Sequence, residues 1–126
     1  MELNRDIKRR DRIIFGKYEP SEYHGGCRHF TELDIERLEY LLDNHFIDPD
    51  ECQNLSPTTE EFFSFMQKYP FWEAHGYVTS VDRSDYRITI EGIARENVPD
   101  NPEELRDYSK LCGDADDFQA NYCWYD

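Results

Sequence analysis

Residues 56–93 read SPTTEEFFSFMQKYPFWEAHGYVTSVDRSDYRITIEGI, and the fold class turns on this stretch. It opens as a helix: Ser56 can cap, Pro57 sits at the first position, and Glu60 and Glu61 fall in the first turn, where the helix dipole favours negative charge. Phe62, Phe65, Met66 and Tyr69 then form an apolar stripe at helical spacing, and Pro70 ends the run. Beyond it the period changes. Tyr86, Ile88 and Ile90 alternate with Arg87, Thr89 and Glu91 at period two, the mark of a half-buried strand. The pattern predicts a helix over 57–69, strands over 72–81 and 86–93, and a hairpin loop at Asp82-Arg83-Ser84-Asp85. Helix and hairpin together imply an α+β domain.

Upstream, Thr31 followed by Asp34 resembles an N-cap arrangement, and Ile35, Leu38, Leu41, Leu42 and Phe46 recur at helical spacing, so a helix is expected over 32–45. Asp48-Pro49-Asp50-Glu51 repeats the proline-and-acid opening and predicts one or two helical turns over 49–54. Leu3, Ile7 and Ile14 suit a helix over 3–14, although Ile13-Ile14-Phe15 before Gly16 would also suit a short strand. Glu19-Pro20-Ser21 and His24-Gly25-Gly26 read as loop.

Downstream, Asn101-Pro102-Glu103-Glu104 has cap, proline and acids in order. Leu105, Tyr108 and Leu111 share one face, and Gly113 stands at the stop, giving a helix of about ten residues. The segment 114–126 mixes acids with Phe118, Tyr122, Trp124 and Tyr125, which argues for docking onto the domain or a partner rather than a free tail. The expected organisation is a small, helix-rich single domain with a two-stranded β-hairpin. It comprises a partly basic N-terminal segment over 1–30, a core over 31–96, and an acidic aromatic helix and tail over 97–126 packing on that core.

The composition fits such a domain narrowly. The 8 Leu, 8 Ile, 3 Val and 8 Phe are just over a fifth of the 126 residues, close to the limit below which chains fail to bury a core. Aromatic residues at 15% make up the shortfall, since each ring buries on the order of 150–250 Å². No window approaches the roughly 18 consecutive apolar residues of a membrane span, and the N-terminus lacks the apolar stretch of a secretory signal. A cytoplasmic protein without membrane contact is expected. Cys27, Cys52, Cys112 and Cys123 include no CxxC pair, so free thiols are expected rather than a disulfide framework.

The net charge is −14, from 14 Lys and Arg against 28 Asp and Glu. Its distribution is uneven: residues 1–30 carry +2, residues 31–98 carry −10 and residues 99–126 carry −6. Lys8, Arg9, Arg10 and Arg12 form a basic cluster most economically paired with the chain's own acids. The rest of the surface repels nucleic acid, whose non-specific binding depends on cations that neutralise phosphates.

Helix, short helix, helix and hairpin over 31–93 resemble the element order of the winged-helix family. The resemblance implies that 57–69 would be the recognition helix and 82–85 the wing tip. A DNA-reading helix presents Arg, Lys, Asn or Gln to base edges. Here 57–69 offers Thr58, Thr59, Glu60, Glu61, Ser64, Gln67 and Lys68, and the wing sets Arg83 and Arg87 beside Asp82 and Asp85. A protein-contacting relative of that order is the expectation.

His24, Cys27 and His29 are the densest cluster of metal-type side chains, yet zinc is usually held by two close pairs. Cys112 and Cys123, separated by ten residues, are not a knuckle, and no cofactor or metal is expected. Cys27, His75 and Asp85 could be posed as a thiol triad, but Cys27 follows Gly-Gly rather than opening a helix that would activate it. Asp48 with Asp50 and Glu51 fails calcium-loop spacing, because Gln53 stands where that loop needs glycine. The chain has neither GxGxxG nor GxxxxGK[ST].

The sequence thus predicts a non-catalytic protein-interaction module that engages a basic partner through Thr58, Glu61, Lys68, Arg83, Arg87, Phe118, Tyr122, Trp124 and Tyr125. Mimicry of nucleic acid is a special case. The rivals are a transcription regulator binding DNA through 57–69 and the hairpin, and a small zinc or thiol enzyme.

Overall fold

A computed structural model describes residues 1–19, 23 and 26–126. In chain order the elements are α1 (Ile7–Phe15), β1 (Cys27–Leu33), α2 (Ile35–Asp43), α3 (Thr59–Lys68), β2 (Glu73–Thr79), β3 (Ile88–Ala94), α4 (Pro102–Cys112), β4 (Asp117–Gln119) and β5 (Tyr122–Trp124). The strands form one antiparallel sheet in the order β1-β2-β3-β5-β4. The chain is an α+β domain, and no helix among the described residues is long and apolar enough to cross a membrane.

The helices begin where short polar side chains can accept from unpaired N–H groups. Asp6 caps α1, Asp34 caps α2 and Asn101 caps α4, each accepting a backbone N–H of the first turn. At α3 the arrangement is reciprocal: Thr58 Oγ1 accepts from Glu61 N at 3.2 Å, and Glu61 Oε1 accepts from Thr58 N at 3.0 Å. All four helices send side chains into one core. Ile14 of α1, Leu38 and Leu41 of α2, Phe62 and Met66 of α3, and Tyr108 of α4 meet one face of the sheet, formed by Phe30, Leu33, Ala74, Val78, Ile88, Ile90 and Ile93. Trp72, fully buried, stacks on Tyr108 with ring centroids 4.4 Å apart.

Several expectations are corrected. The hairpin is not two-stranded but the middle of five strands, with β1 beyond β2 and β5 beyond β3. Residues 27–33 form the strand β1 because Arg28, Phe30 and Leu33 turn inward while His29 and Thr31 turn out. Glu32, at φ 58, absorbs the irregularity that brings Leu33 back to the core. The helix expected over 32–45 therefore starts after Asp34, not Thr31, and stops at Asp43.

The first helix is Ile7–Phe15 rather than 3–14 and ends at Gly16, in the left-handed region at φ 80. Residues 49–54 are turns, because the carbonyls of Pro49 and Glu51 accept from Glu60 N and Thr59 N at the start of α3. The tail 114–126 is no free segment: β4 and β5 extend the sheet, and Tyr125 N donates to Glu91 O at 2.8 Å.

Of the basic cluster, Arg10 is wholly buried, bonded to Asp11 Oδ1 and Thr79 O at 2.9 Å each. Arg9 lies over the rings of Tyr40 and Phe46.

Candidate functional site: a groove on the outer face of the sheet

Strand alternation sends every second side chain to the face opposite the core. There His29, Thr31, Glu73, His75, Glu91, Tyr122 and Trp124 line a groove of about 780 Å³. The register explains the grouping. His29 is opposite Tyr77, Glu73 is opposite Ala94, and Ala94 is opposite Tyr122, so β1, β2, β3 and β5 each contribute to one surface.

Gly76 lines the groove, and Gly92 lies beneath His75. A Cβ on Gly92 would fall 1.9 Å from the Cys123 carbonyl oxygen and 2.8 Å from His75 Cε1, so only glycine permits both to approach. Gly76 is closed in the same way by the Thr89 carbonyl oxygen, at 1.9 Å. Over Gly92 the His75 ring stacks on Tyr122, with centroids 5.1 Å apart and planes within 11°. His75 Nε2 lies 2.9 Å from the Cys123 carbonyl oxygen, which can only accept, so Nε2 carries the proton. Burial lowers the His75 pKa against the smaller opposing effect of that hydrogen bond.

Glu91 lies deepest of the groove carboxylates, its side chain 12% exposed. Burial raises its pKa, while the charge of His29 and a hydrogen bond from Trp124 pull it down. His29 Nδ1 stands 3.6 Å from Glu91 Oε1, and the His29 side chain is 74% exposed. The His29 ring also leans on Tyr77, with centroids 5.9 Å apart.

The field in the groove is negative. Glu32, Glu73, Glu91 and Glu96 face one guanidinium, Arg95, which is already bound to Glu104 at 2.5 Å. Burial raises the Glu73 pKa, and the charges of Glu32 and Asp34 raise it further. Two exposed apolar groups lie on segments that touch the groove's strands. Gln53 accepts from Tyr77 Oη and Asn54 donates to the Asp126 carbonyl, and the next residue, Leu55, is 93% exposed. A smaller recess shares Glu73, Arg95 and Glu96 with the groove and adds Phe71, 73% exposed beneath the Arg95 guanidinium.

Of the residues singled out in the sequence, Tyr122 and Trp124 lie in this groove. Thr58 and Glu61 serve the helix cap, and Lys68 bridges to Glu103 at 2.8 Å and Asp107 at 3.0 Å. Arg83 and Arg87 both hold Asp85, at 2.7 and 2.8 Å, and their hydrogen bonds depress its pKa to about 2. Phe118 stacks on Tyr108, and Tyr125 is buried with its hydroxyl 3.4 Å from the Leu111 carbonyl oxygen.

His24 lies outside the described residues, and among those described no group of three His, Cys, Asp or Glu side chains is arranged to hold a metal ion. Cys27 Sγ accepts from Arg83 Nη1 at 3.1 Å, which brings Cys27 near Asp85 but not near His75. His75 is four residues along β2 from Thr79, the register partner of Cys27, or about 13 Å of strand.

Glu32, Glu73, Glu91 and Arg95 escaped the sequence reading as site residues. Glu91 was visible in the alternation of 86–93, but assigning its face to a ligand required the strand at 27–33. No protein-family model, curated protein or solved structure matches the chain.

Proposed function

We propose that the chain is a protein-interaction module that acts without catalysis and receives a basic partner on the outer face of its sheet. The observation that carries this reading is the groove itself: four carboxylates and aromatic walls against one guanidinium already engaged by Glu104, in a chain of net charge −14. Opposite charge steers encounter and excludes acidic competitors. Exposed Leu55 and Phe71, on segments that touch the groove's strands, favour a macromolecular partner over a small solute, because isolated apolar anchors gain from burial in an interface.

The winged-helix-like order of α2, α3, β2 and β3 would serve DNA binding, but the cations that reading needs are committed elsewhere. Lys68 is held by α4, and Arg83 and Arg87 by Asp85. Both edges of the β2–β3 hairpin are also paired, with β1 and β5. Separation of Cys27 from His75 weighs against the thiol enzyme.

The test is carboxylate-directed cross-linking of the protein in extracts of the cell that makes it, with the linked residues mapped. Links from Glu32, Glu73 or Glu96 to lysines of one recurrent protein, lost at high salt, are expected. Links confined to other surfaces, or links insensitive to salt, would overturn the reading.

A further inference from the structure

The floor of the groove holds an arrangement that surface acidity alone does not require. Glu91 is a buried carboxylate with the Trp124 indole on one side and His29 on the other. The hold of His29 is loose: at 3.6 Å it is an ion-pair distance without a hydrogen bond, and the imidazole stays largely in solvent. The His29 ring has a second neighbour in Tyr77, with centroids 5.9 Å apart. Near Glu91, the Tyr122 ring stacked on His75 and the Trp124 ring line the same groove, and aromatic rings attract cations that approach their faces. A buried acid beside aromatic rings suits a ligand with an apolar stem and a charged tip.

Resting on the interaction reading above, we infer that the groove takes one cationic side chain of the partner polypeptide, an ammonium or guanidinium, which replaces His29 over Glu91. The stem lies along Tyr122 and Trp124, as long basic side chains bury their methylenes while their heads find a charge. Glu32, Glu73 and Glu96 at the rim steer the basic segment without contacting the inserted head. His29 acts as a placeholder that sets a second group beside Glu91, in addition to the Trp124 hydrogen bond, when the groove is empty.

The experiment uses the full chain, labelled with ¹⁵N, and three blocked pentapeptides that differ at the central residue: lysine, arginine and norleucine. The chain has two tryptophans, and the Trp72 indole N–H is bound in the core to Glu104, so the Trp124 indole resonance reports on the groove and that of Trp72 controls for folding. The lysine or arginine peptide is expected to shift the Trp124 signal while norleucine does not, and the cation that binds more tightly identifies the side chain. Glu91→Gln, which keeps the shape, should weaken binding at least tenfold, and His29→Ala should leave it equal or tighter.

Equal shifts from norleucine, no shift from either basic peptide at millimolar concentration, or unchanged affinity in Glu91→Gln would overturn the cation site. Loss of binding in His29→Ala would overturn the placeholder role. Silent peptides together with rim cross-links would refute this inference and spare the interaction reading, whereas silent peptides with cross-links elsewhere would refute both.

Discussion

Glu104 accepts the Trp72 indole N–H at 2.8 Å and the Arg95 guanidinium at 2.5 Å, so one buried carboxylate ties α4 to the entry of β2 and the exit of β3. Glu104→Ala leaves both partners unmatched in a region of low dielectric, and a loss of about 3 kcal/mol is expected from the urea midpoint. Glu104→Gln keeps an acceptor for the indole and should cost less. His75 offers a test in pH. Its folded pKa is lowered by burial, so below the ordinary value of about 6.5 the unfolded chain binds the proton more readily, and stability falls as pH drops through the folded value. Glu91, with its pKa raised, acts in the opposite sense: acidification through its folded value adds stability. The stability of wild type minus that of His75→Gln should therefore shrink on acidification below about pH 6.5, measured by denaturation at several pH values. At this scale the sequence was informative about the residue types. His29 and Trp124 drew notice for zinc and a terminal docking patch, and His75 for a thiol triad and, with Gly76 and Tyr77, as a candidate recognition edge, but not as one group, since a residue's neighbours across a sheet are not its neighbours in the chain.

At the scale of elements, helices were legible because their signals are local. The openings before α3 and α4 lie within one turn of the helix they start, although α3 is capped by Thr58 and begins at Thr59 rather than following a Ser56 cap with Pro57 at its first position; Thr58→Ala should cost about 1 kcal/mol by breaking the reciprocal cap, as read by thermal denaturation. The strands β1, β4 and β5 were not legible. β1 carries charged Arg28 inward against the Phe15 ring at 3.5 Å, which disguises its alternation, and β4 and β5 are three residues each. Such strands exist because β2 and β3 offer edges to pair with, a long-range fact invisible in a short window. Gly92→Ala tests that dependence. Its Cβ would collide with the Cys123 backbone, so β5 should part from β3 while the helices persist. Faster hydrogen exchange at Tyr125 N and Arg95 N, which bond to Glu91 O and Asn121 O, would report it.

Across the whole molecule, acidity and fold act together. Helices cover one face of the sheet, leaving the other to present carboxylates from β1, β2, β3 and the turn after it beside aromatic rings from β5. Partner association should be strong in dilute salt and fall steeply toward 0.5 M, because the Debye length shrinks from about 10 Å at 0.1 M to about 3 Å at 1 M. An on-rate series against ionic strength measures this, and a flat profile would contradict an electrostatic encounter. Duplex DNA should not be retained even at about 50 mM salt in a gel-shift assay. The net charge made the acidity of the surface legible from composition, while the groove depended on registry between segments some 90 residues apart. Because Asn54 fastens the Asp126 carbonyl two residues after Trp124, a purification handle or fluorophore fused after Asp126 would emerge at the lip of the groove. Such a fusion would shade the binding face, whereas label chemistry aimed at the exposed thiol of Cys52 offers a reporter beside the Leu55 loop without lengthening the chain.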